Sequence, residues 1–397
     1  MGGKIMNNFT FYNPARIVFG KDTELKAGSL IKEYGTRVLV HFGGHSAKAT
    51  GLLDRVIDSL QKEGITVFEL GGVKPNPRYS LVKEGIELCK KENIQAILAV
   101  GGGSVIDSAK AIAFGALIEE DVWDYYLYGK AIKQILPLGV VLTIPAAGSE
   151  SSTSTVITHD ETLIKRGLGS PLFIPKFAII NPELHYSLPK FQTACGIVDM
   201  SAHLIERYFT QVEHNDLTDR LIEANLKSII ANALPVLENP TDYNARAEIA
   251  FCGTLAHNGL FSVGRVGDWA SHSIEHELSA KFDIAHGAGL AMIIPWWMRH
   301  VYKEGLYKFV QFAQRVFDVQ LDARYPELIA LEGIRRLELF YQSLGLDTNT
   351  VSLPIDEEVI HEMTEKIFVA RDSQTLGFFK PLTRDDIKAI YRSANQK

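Results

Sequence analysis

Asp199 and His203 stand four residues apart, as do His272 and His276, and His286 follows just before Gly287. At helical spacing, residues four apart point from one face, so each pair can hold a divalent ion between its side chains. An acid with three imidazoles suits Fe2+ or Zn2+ and leaves a coordination position for a substrate oxygen. Read singly, an Asp-x-x-x-His pair is as readily a surface contact or a core histidine with its own hydrogen bonds. Four histidines and an acid gathered between 199 and 286, in a chain with 12 histidines, shift the balance toward ligation. His41, His159, His185, His214, His300 and His361 read as ordinary surface or core residues. His272-Ser273-Ile274-Glu275-His276 also spells H-x-x-E-H, the zinc metallopeptidase motif in which both histidines bind the metal and Glu275 is the general base. That rival needs a further acidic ligand downstream.

A second chemistry is written in glycines. Gln95 to Val100 reads as a strand running into Gly101-Gly102-Gly103-Ser104, and Val105 to Ala113 follows as a helix. Without Cβ atoms the backbone can approach a phosphate, and the N–H groups of the first helical turn point at it with the positive end of the dipole. A pyrophosphate suits such a cradle. The loop is neither G-x-G-x-x-G nor a Walker A motif, and a plain tight turn is the competing reading. Another turn, Gly43-Gly44-His45-Ser46, follows the strand Arg37 to Phe42. NAD sites commonly place an acid there to bind the ribose diol, and that acid repels a 2′-phosphate. Here the first acid after Phe42 is Asp54, whereas Ser46, Lys48 and His45 donate hydrogen bonds or positive charge. NADP(H) is therefore expected over NAD(H).

These residues must be positioned by two kinds of scaffold. Of 32 glycines, 21 precede residue 191, where β-rich runs (Arg37 to Phe42, Thr66 to Leu70, Gln95 to Val100, Gly139 to Ile144) alternate with helical stretches such as Gly51 to Lys62 and Tyr79 to Lys91. That alternation predicts a parallel sheet. Phe9 to Phe19, with Asn13-Pro14 inside, reads as an extended hairpin. From about residue 191 strand signals stop and long amphipathic patterns follow, beginning with Gln192 to Thr210 and Leu217 to Leu237. Asn181-Pro182 and Leu188-Pro189 make a boundary, dividing the chain into an α/β dinucleotide-binding domain (1–190) and an all-helical metal-binding and catalytic domain (191–397). Asp268 is placed to N-cap the helix carrying His272 and His276. Trp269, Trp296 and Trp297 read as an apolar substrate wall or as core.

Composition excludes other classes. With 397 residues, 46% hydrophobic and 22% charged, the chain is a globular protein rather than a disordered or fibrous one. Its 41 Lys and Arg against 47 Asp and Glu leave a net charge of −6, which argues against nucleic acid or anionic membrane as the partner. Cys89, Cys195 and Cys252 are too few and too scattered for a disulfide framework or a Cys-based zinc site, which fits a reducing cytoplasm. Ile135 to Gly148 is the longest apolar run, broken by Pro137, Gly139 and Pro145 and short of the ~20 residues a membrane span needs.

Taken together, the chain resembles the iron-dependent (group III) alcohol dehydrogenases, particularly their NADPH-using butanol dehydrogenase and aldehyde reductase branch. The likeness is carried by Phe11-Tyr12-Asn13-Pro14 with Ile17-Val18-Phe19-Gly20, by Gly72-Val73-Lys74-Pro75-Asn76-Pro77, by Gly101 to Asp107, by Gly148-Ser149-Glu150, and by Glu275-His276 leading to Asp283-Ile284-Ala285-His286-Gly287. The resemblance implies a Rossmann-like α/β domain followed by an all-α domain, a dehydroquinate synthase-like fold, and at least a homodimer. It implies Asp199, His203, His272 and His286 as metal ligands, with His276 nearby as the candidate proton relay because an imidazole titrates near neutrality. It further implies Gly102, Gly103, Ser104 and Asp107 at the pyrophosphate and ribose. Asn76, Thr143, Ser149 and Lys165 would line the cofactor cleft, and Gly43, Gly44 and Ser46 would accept a 2′-phosphate. The expected reaction is hydride transfer between NADP(H) and a primary alcohol or aldehyde such as butanol or butanal. The chain departs from the family pattern at His45, in place of a third glycine, and in the hydroxyl-rich Ser152-Thr153-Ser154-Thr155.

Overall fold

The computed structural model describes residues 5–44 and 46–396, so the expectation for His45 lies outside the described residues. The chain divides into two compact units. One is built from Tyr12–Leu188 and Pro240–Thr254, and the other from the residues up to Phe11, Pro189–Asn239 and the chain from Leu255 onward.

The first unit carries Arg16–Phe19 (β1), Arg37–Phe42 (β2), Thr66–Leu70 (β3), Ala96–Gly101 (β4), Leu138–Leu142 (β5), Ser154–Thr158 (β6), Lys165–Gly169 (β7) and Phe177–Ile180 (β8). Six strands form one sheet in the order β1-β8-β5-β4-β2-β3, every neighbour parallel, while β6 and β7 pair as a separate antiparallel hairpin. Val38-Leu39-Val40 and Ile97-Leu98-Ala99-Val100 are unbroken apolar runs, the pattern of strands covered on both faces. Alternate residues feed two cores: Leu39, Ile97 and Val140 enter one, and Val40, Leu98 and Val141 the other. Ala27–Ile31 (α1), Ser46–Ala49 (α2) and Leu52–Lys62 (α3) cover the second core, with Val56 and Leu60 buried. Tyr79–Lys91 (α4), Gly103–Gly115 (α5) and Val122–Tyr128 (α6) cover the first.

From β2 the chain passes through α3 to β3 on one side of the sheet, and from β4 through α5 to β5 on the other. Right-handed crossovers running in opposite directions place their helices on opposite faces. The neighbouring ends of β2 and β4 are therefore a topological switch point, where open parallel sheets bind ligands. Both glycine turns stand there.

Phe9 to Phe19 is not a hairpin. Only Arg16–Phe19 is a strand, and it pairs in parallel with β8, Arg16 opposite Phe177 and Phe19 opposite Ile180. Pro14 has no amide hydrogen for a ladder, and Asn13 turns the chain instead: its Oδ1 accepts from Ala15 N at 3.1 Å and its Nδ2 donates to Ser151 O at 2.8 Å.

Helices follow: Lys190–Tyr208 (α7), Asp216–Glu238 (α8), Tyr243–His257 (α9), Ala270–Phe282 (α10), His286–Val301 (α11), Leu306–Phe317 (α12), Pro326–Ser343 (α13), Glu357–Ile367 (α14) and Arg384–Ala394 (α15). Most of α9 belongs with the sheet, since Ala250 joins its core and Thr254 Oγ1 donates to Glu150 Oε1 at 2.6 Å. Among the described residues, the second unit otherwise has no extended structure beyond a bridge between Leu376 and Leu382. Its centre is α7, buried continuously from Thr193 to Tyr208, which makes it a core helix rather than an amphipathic surface one. Asp199, His203, Glu206 and Arg207 lie inside that run, so each needs a partner. No described helix is long and apolar enough to cross a membrane.

Candidate functional site

Asp199 on α7, His272 on α10 and His286 at the first position of α11 bring one ligand atom each within 4.8 Å of the others. Glycine makes this approach. A Cβ on Gly287 would lie 2.0 Å from the Cys195 carbonyl oxygen, so only glycine lets the start of α11 close on α7 and set His286 against Asp199. His286 Nε2 is 3.8 Å from Asp199 Oδ1. His203 stands beside this trio rather than within it: its Nδ1 is 3.7 Å from the same Asp199 oxygen and its ring stacks on His272 at 4.8 Å. His276 is half-buried one turn along α10, its ring centroid 5.4 Å from that of His286.

Two carboxylates that sequence spacing does not single out as partners orient these imidazoles. Glu206, fully buried, accepts from His272 Nδ1 at 3.0 Å, and Glu275, equally buried, is hydrogen-bonded to His286 Nδ1. With each Nδ1 committed to a carboxylate, each Nε2 is the nitrogen left for a cation. Burial alone would raise the Glu206 carboxyl, yet the His272 and Ser271 hydrogen bonds hold it below its usual range. Burial, followed by His257, His272 and Arg207, pushes His203 far below the usual imidazole range, which leaves it in the neutral, ligating form. His203 Nδ1 and His272 Nε2 are buried with no hydrogen-bond partner among the described residues. Nitrogen atoms kept dry and unbonded, beside a carboxylate, are what a divalent cation satisfies, so the residues present fit one.

The start of α10 differs from the expected cap. Trp269 occupies the N-cap with φ 64°, and Glu206 accepts from its backbone N at 2.6 Å, from the Ser271 hydroxyl at 2.5 Å and from the first-turn His272 N at 3.1 Å. Asp268 sits one residue earlier and spends its carboxylate on Ala270, Phe378 and Phe379 backbone N–H groups; burial and then the Glu206 charge push it up to about 7. Of the three tryptophans, only Trp269 lies beside the histidines, 5.2 Å from His272 and 5.8 Å from His203. Trp297 is core, against Phe209 and Phe379, and Trp296 donates to Thr348 O at 2.8 Å. His257, which no spacing marks, packs its ring 4.2 Å from His203.

The peptidase reading of H-x-x-E-H finds no support in this arrangement. A general base must reach water and substrate, but Glu275 is fully buried and bonded to His286. A Cβ on Gly289 would fall 2.4 Å from Glu275 Oε1, so α11 seals that carboxylate in place.

In the sheet unit, β4 ends at Gly101 and α5 starts at Gly103, with Gly102 as N-cap in extended backbone. A Cβ on Gly102 would sit 2.8 Å from Ile144 Cβ, so that glycine serves packing; on Gly103 the nearest atom is Ala147 Cβ at 3.3 Å. At Gly43 a Cβ would make only ordinary contacts at 3.7 Å, and at Gly44 it would meet nothing within 4 Å. Neither has a positive φ, so neither packing among the described residues nor backbone conformation calls for glycine there. Ser104 lies in the first turn of α5 and exposed Ser46 opens α2. Thr143 N donates to Gly101 O at 3.0 Å, joining the ends of β5 and β4. Asn76, at φ 54°, accepts from Lys165 Nζ at 2.9 Å, and both are buried. Asp107 accepts from Ser149 Oγ at 2.5 Å and from Val156 N at 2.9 Å; its carboxyl is raised by burial against the Lys110 charge.

Comparison with known proteins meets this geometry. The family described as iron-containing alcohol dehydrogenase matches residues 14–182, and its C-terminal family matches residues 193–395. A probable NADH-dependent butanol dehydrogenase of Bacillus subtilis is 43% identical over 98% of this chain and 100% of its own length. The NADPH-dependent aldehyde reductase of Escherichia coli is 34% identical with the same coverage. The crystal structure of NADH-dependent butanol dehydrogenase A from Thermotoga maritima superposes with a TM-score of 0.95 at 40% identity, covering 99% of this chain and 100% of that one. With the six-stranded parallel sheet, the helical unit and the acid–histidine cluster in place, the chain belongs to the iron-containing alcohol dehydrogenase family and is an oxidoreductase.

Proposed function

We propose that this enzyme transfers a hydride between NADP(H) and a primary alcohol or aldehyde such as butanol or butanal, with Asp199, His203, His272 and His286 holding one divalent cation, Fe2+ or Zn2+. The observation carrying this reading is the convergence of Asp199, His272 and His286 within 4.8 Å, with both imidazoles oriented by buried carboxylates. A divalent cation held there supplies Lewis acidity to the substrate oxygen, while the nicotinamide supplies or accepts the hydride.

The chain does the rest. Glu206 and Glu275 hold His272 and His286 in one tautomer and one orientation, so the ligand set is preorganised. His276 delivers a proton to the oxygen as aldehyde becomes alcohol and takes it back in the reverse direction. Gly102, Gly103 and Ser104 present backbone N–H groups to the pyrophosphate, and Asp107, Thr143, Ser149, Asn76 and Lys165 frame the ribose and nicotinamide. Gly43, Gly44 and Ser46 meet the adenosine ribose. No carboxylate stands between Phe42 and Asp54, and exposed Lys48 lies 5.1 Å over the Phe42 ring at the end of β2, which supports NADP(H) over NAD(H). The names of the relatives divide on this point, NADH for the butanol dehydrogenases and NADPH for the aldehyde reductase. A cytoplasmic homodimer belongs to the same reading.

Butanal reduction by protein stripped of metal and reconstituted with Fe2+ or Zn2+, assayed with NADPH and NADH, tests the proposal. Metal-dependent consumption of NADPH with the higher kcat/KM is expected. Turnover that ignores metal would remove the proposed centre, and a strong NADH preference would reverse the cofactor assignment.

A further inference from the structure

Lys110 lies on α5, one turn beyond Asp107, and is fully buried. Its ammonium is surrounded by five oxygens: Ser149 O at 2.7 Å, Ser154 O at 2.8 Å, Ser149 Oγ at 3.0 Å, Ser152 Oγ at 3.1 Å and Ser152 O at 3.2 Å. An ammonium has three N–H donors, so five close oxygens form a cage of the kind that encloses a monovalent cation, here tethered to a helix. Two hydroxyls of the hydroxyl-rich stretch noted in the sequence take part, that of Ser152 at the ammonium and that of Thr155 at the Asp107 carbonyl. Ser152 and Ser154 close the cage, and Thr155 Oγ1 donates to Asp107 O at 2.8 Å. Ser149 links cage and carboxylate: its hydroxyl accepts from Lys110 and donates to Asp107 Oδ1, while Val156 N donates to Asp107 Oδ2. Burial pushes the Lys110 amine down to about 8 against the pull of Asp107 and Glu150. A group buried at such cost, outside any described reaction step, needs a reason to be there.

We propose that Lys110 is a positioning residue for cofactor binding: through Ser149 its ammonium orients the Asp107 carboxylate and fastens the Gly148–Ser154 turn to the helix that starts at the phosphate cradle. This rests on the reading that Asp107 contacts the cofactor. The cage explains why a lysine, rather than an apolar residue, fills this buried position: an apolar side chain would remove the short donor contacts to Ser149 O, Ser152 O and Ser154 O, with Ser149 O keeping the Ser152 N–H at 3.4 Å and Ser154 O the Ser152 hydroxyl at 3.3 Å.

The test uses the full-length holoenzyme, with cofactor affinity read by NADPH fluorescence titration alongside KM and kcat. Lys110→Ala should raise the cofactor Kd and KM about ten-fold or more while kcat at saturation falls less. Potassium or ethylammonium chloride, but not sodium chloride at equal ionic strength, should restore affinity in the variant and leave the parent unchanged. A folded Lys110→Ala protein with parental Kd overturns the proposal, as does a raised Kd that no cation lowers. If Lys110→Ala does not fold, Ser152→Ala, which removes one cage oxygen and keeps the ammonium, is read instead; a rise in Kd supports the proposal and an unchanged Kd overturns it. Asp107→Asn separates the two layers. If it binds NADPH as the parent does, the underlying cofactor reading fails; if it loses affinity while Lys110→Ala does not, only the role of Lys110 fails.

Discussion

Glu206 Oε1 accepts from both the His272 ring Nδ1, at 3.0 Å, and the His272 backbone N–H, at 3.1 Å, so one buried carboxylate sets the start of α10 and the tautomer of its first histidine. Glu275 does the same for the ring of His286. Carboxylates behind metal-binding histidines typically contribute 10- to 100-fold in metal affinity, or about 1.4 to 2.7 kcal/mol.

Glu206→Ala should therefore lose metal at chelator concentrations about ten-fold or more below those that strip the parent. Glu206→Gln, which keeps an acceptor oxygen for the Ser271 and His272 donors at Oε1 but loses the one that accepts from Trp269 N, should fall between. Metal content after dialysis against graded chelator measures both, and parental retention by a folded Glu206→Ala protein would contradict the orienting role.

His286 and His276 are expected to separate. His286→Ala removes a member of the converging trio and should lose both metal and nearly all activity. His276→Ala should keep its metal and lose rate, with a kcat lower by about 10²-fold. A metal-free His276→Ala protein would assign that ring to ligation instead.

The glycines of the two turns divide by what a Cβ would meet. Gly44→Ala has open space and an ordinary φ, so thermal stability should change by less than about 0.5 kcal/mol while the cofactor KM rises. Gly102→Ala drives a methyl into Ile144 and should cost about 1–3 kcal/mol by overpacking. Thermal melts with and without cofactor, beside KM, distinguish the two; an unchanged KM in Gly44→Ala would mean that no ligand approaches that turn.

Acid should destabilise the sheet unit through two neutral histidines. His41, bonded to Leu70 O and Ser108 Oγ, and His185, bonded to Leu142 O, are each pushed down to about 4, chiefly by burial. Their unfolded forms take up protons near pH 6.5 that the folded forms refuse until about 4. The stabilisation they confer is thus complete above pH 6.5 and is lost as pH falls toward 4, by up to about 3 kcal/mol each. Urea unfolding between pH 7 and 4 should show this slope, and His41→Gln should flatten it. An equal slope in that variant would place the acid sensitivity elsewhere.

Local pattern was enough for much of the molecule. Unbroken apolar runs such as Ile97 to Val100 and helical periods such as Tyr79 to Lys91 are consequences of burial on two faces or one, which any short window records. The residue types of the site were equally legible, because Asp199 and His203, or His272 and His276, sit at helical spacing along single elements. Their partners were not. Glu206 reaches His272 and Glu275 reaches His286 only because α7, α10 and α11 pack closely, at Gly287 against Cys195 and Gly289 against Glu275. The same packing takes Glu275 out of reach of water, although its H-x-x-E-H spacing fits a peptidase, and it brings in His257, which no motif marks. At the chain start, the apolar segment around Asn13-Pro14 reads as a hairpin, but β1 pairs with β8 instead, a strand far along the chain. Spacing within one helix or strand is written in the sequence by its period. Which buried acid meets which imidazole, and which strand completes the sheet, depends on how distant elements close on one another, and only the folded chain decides that.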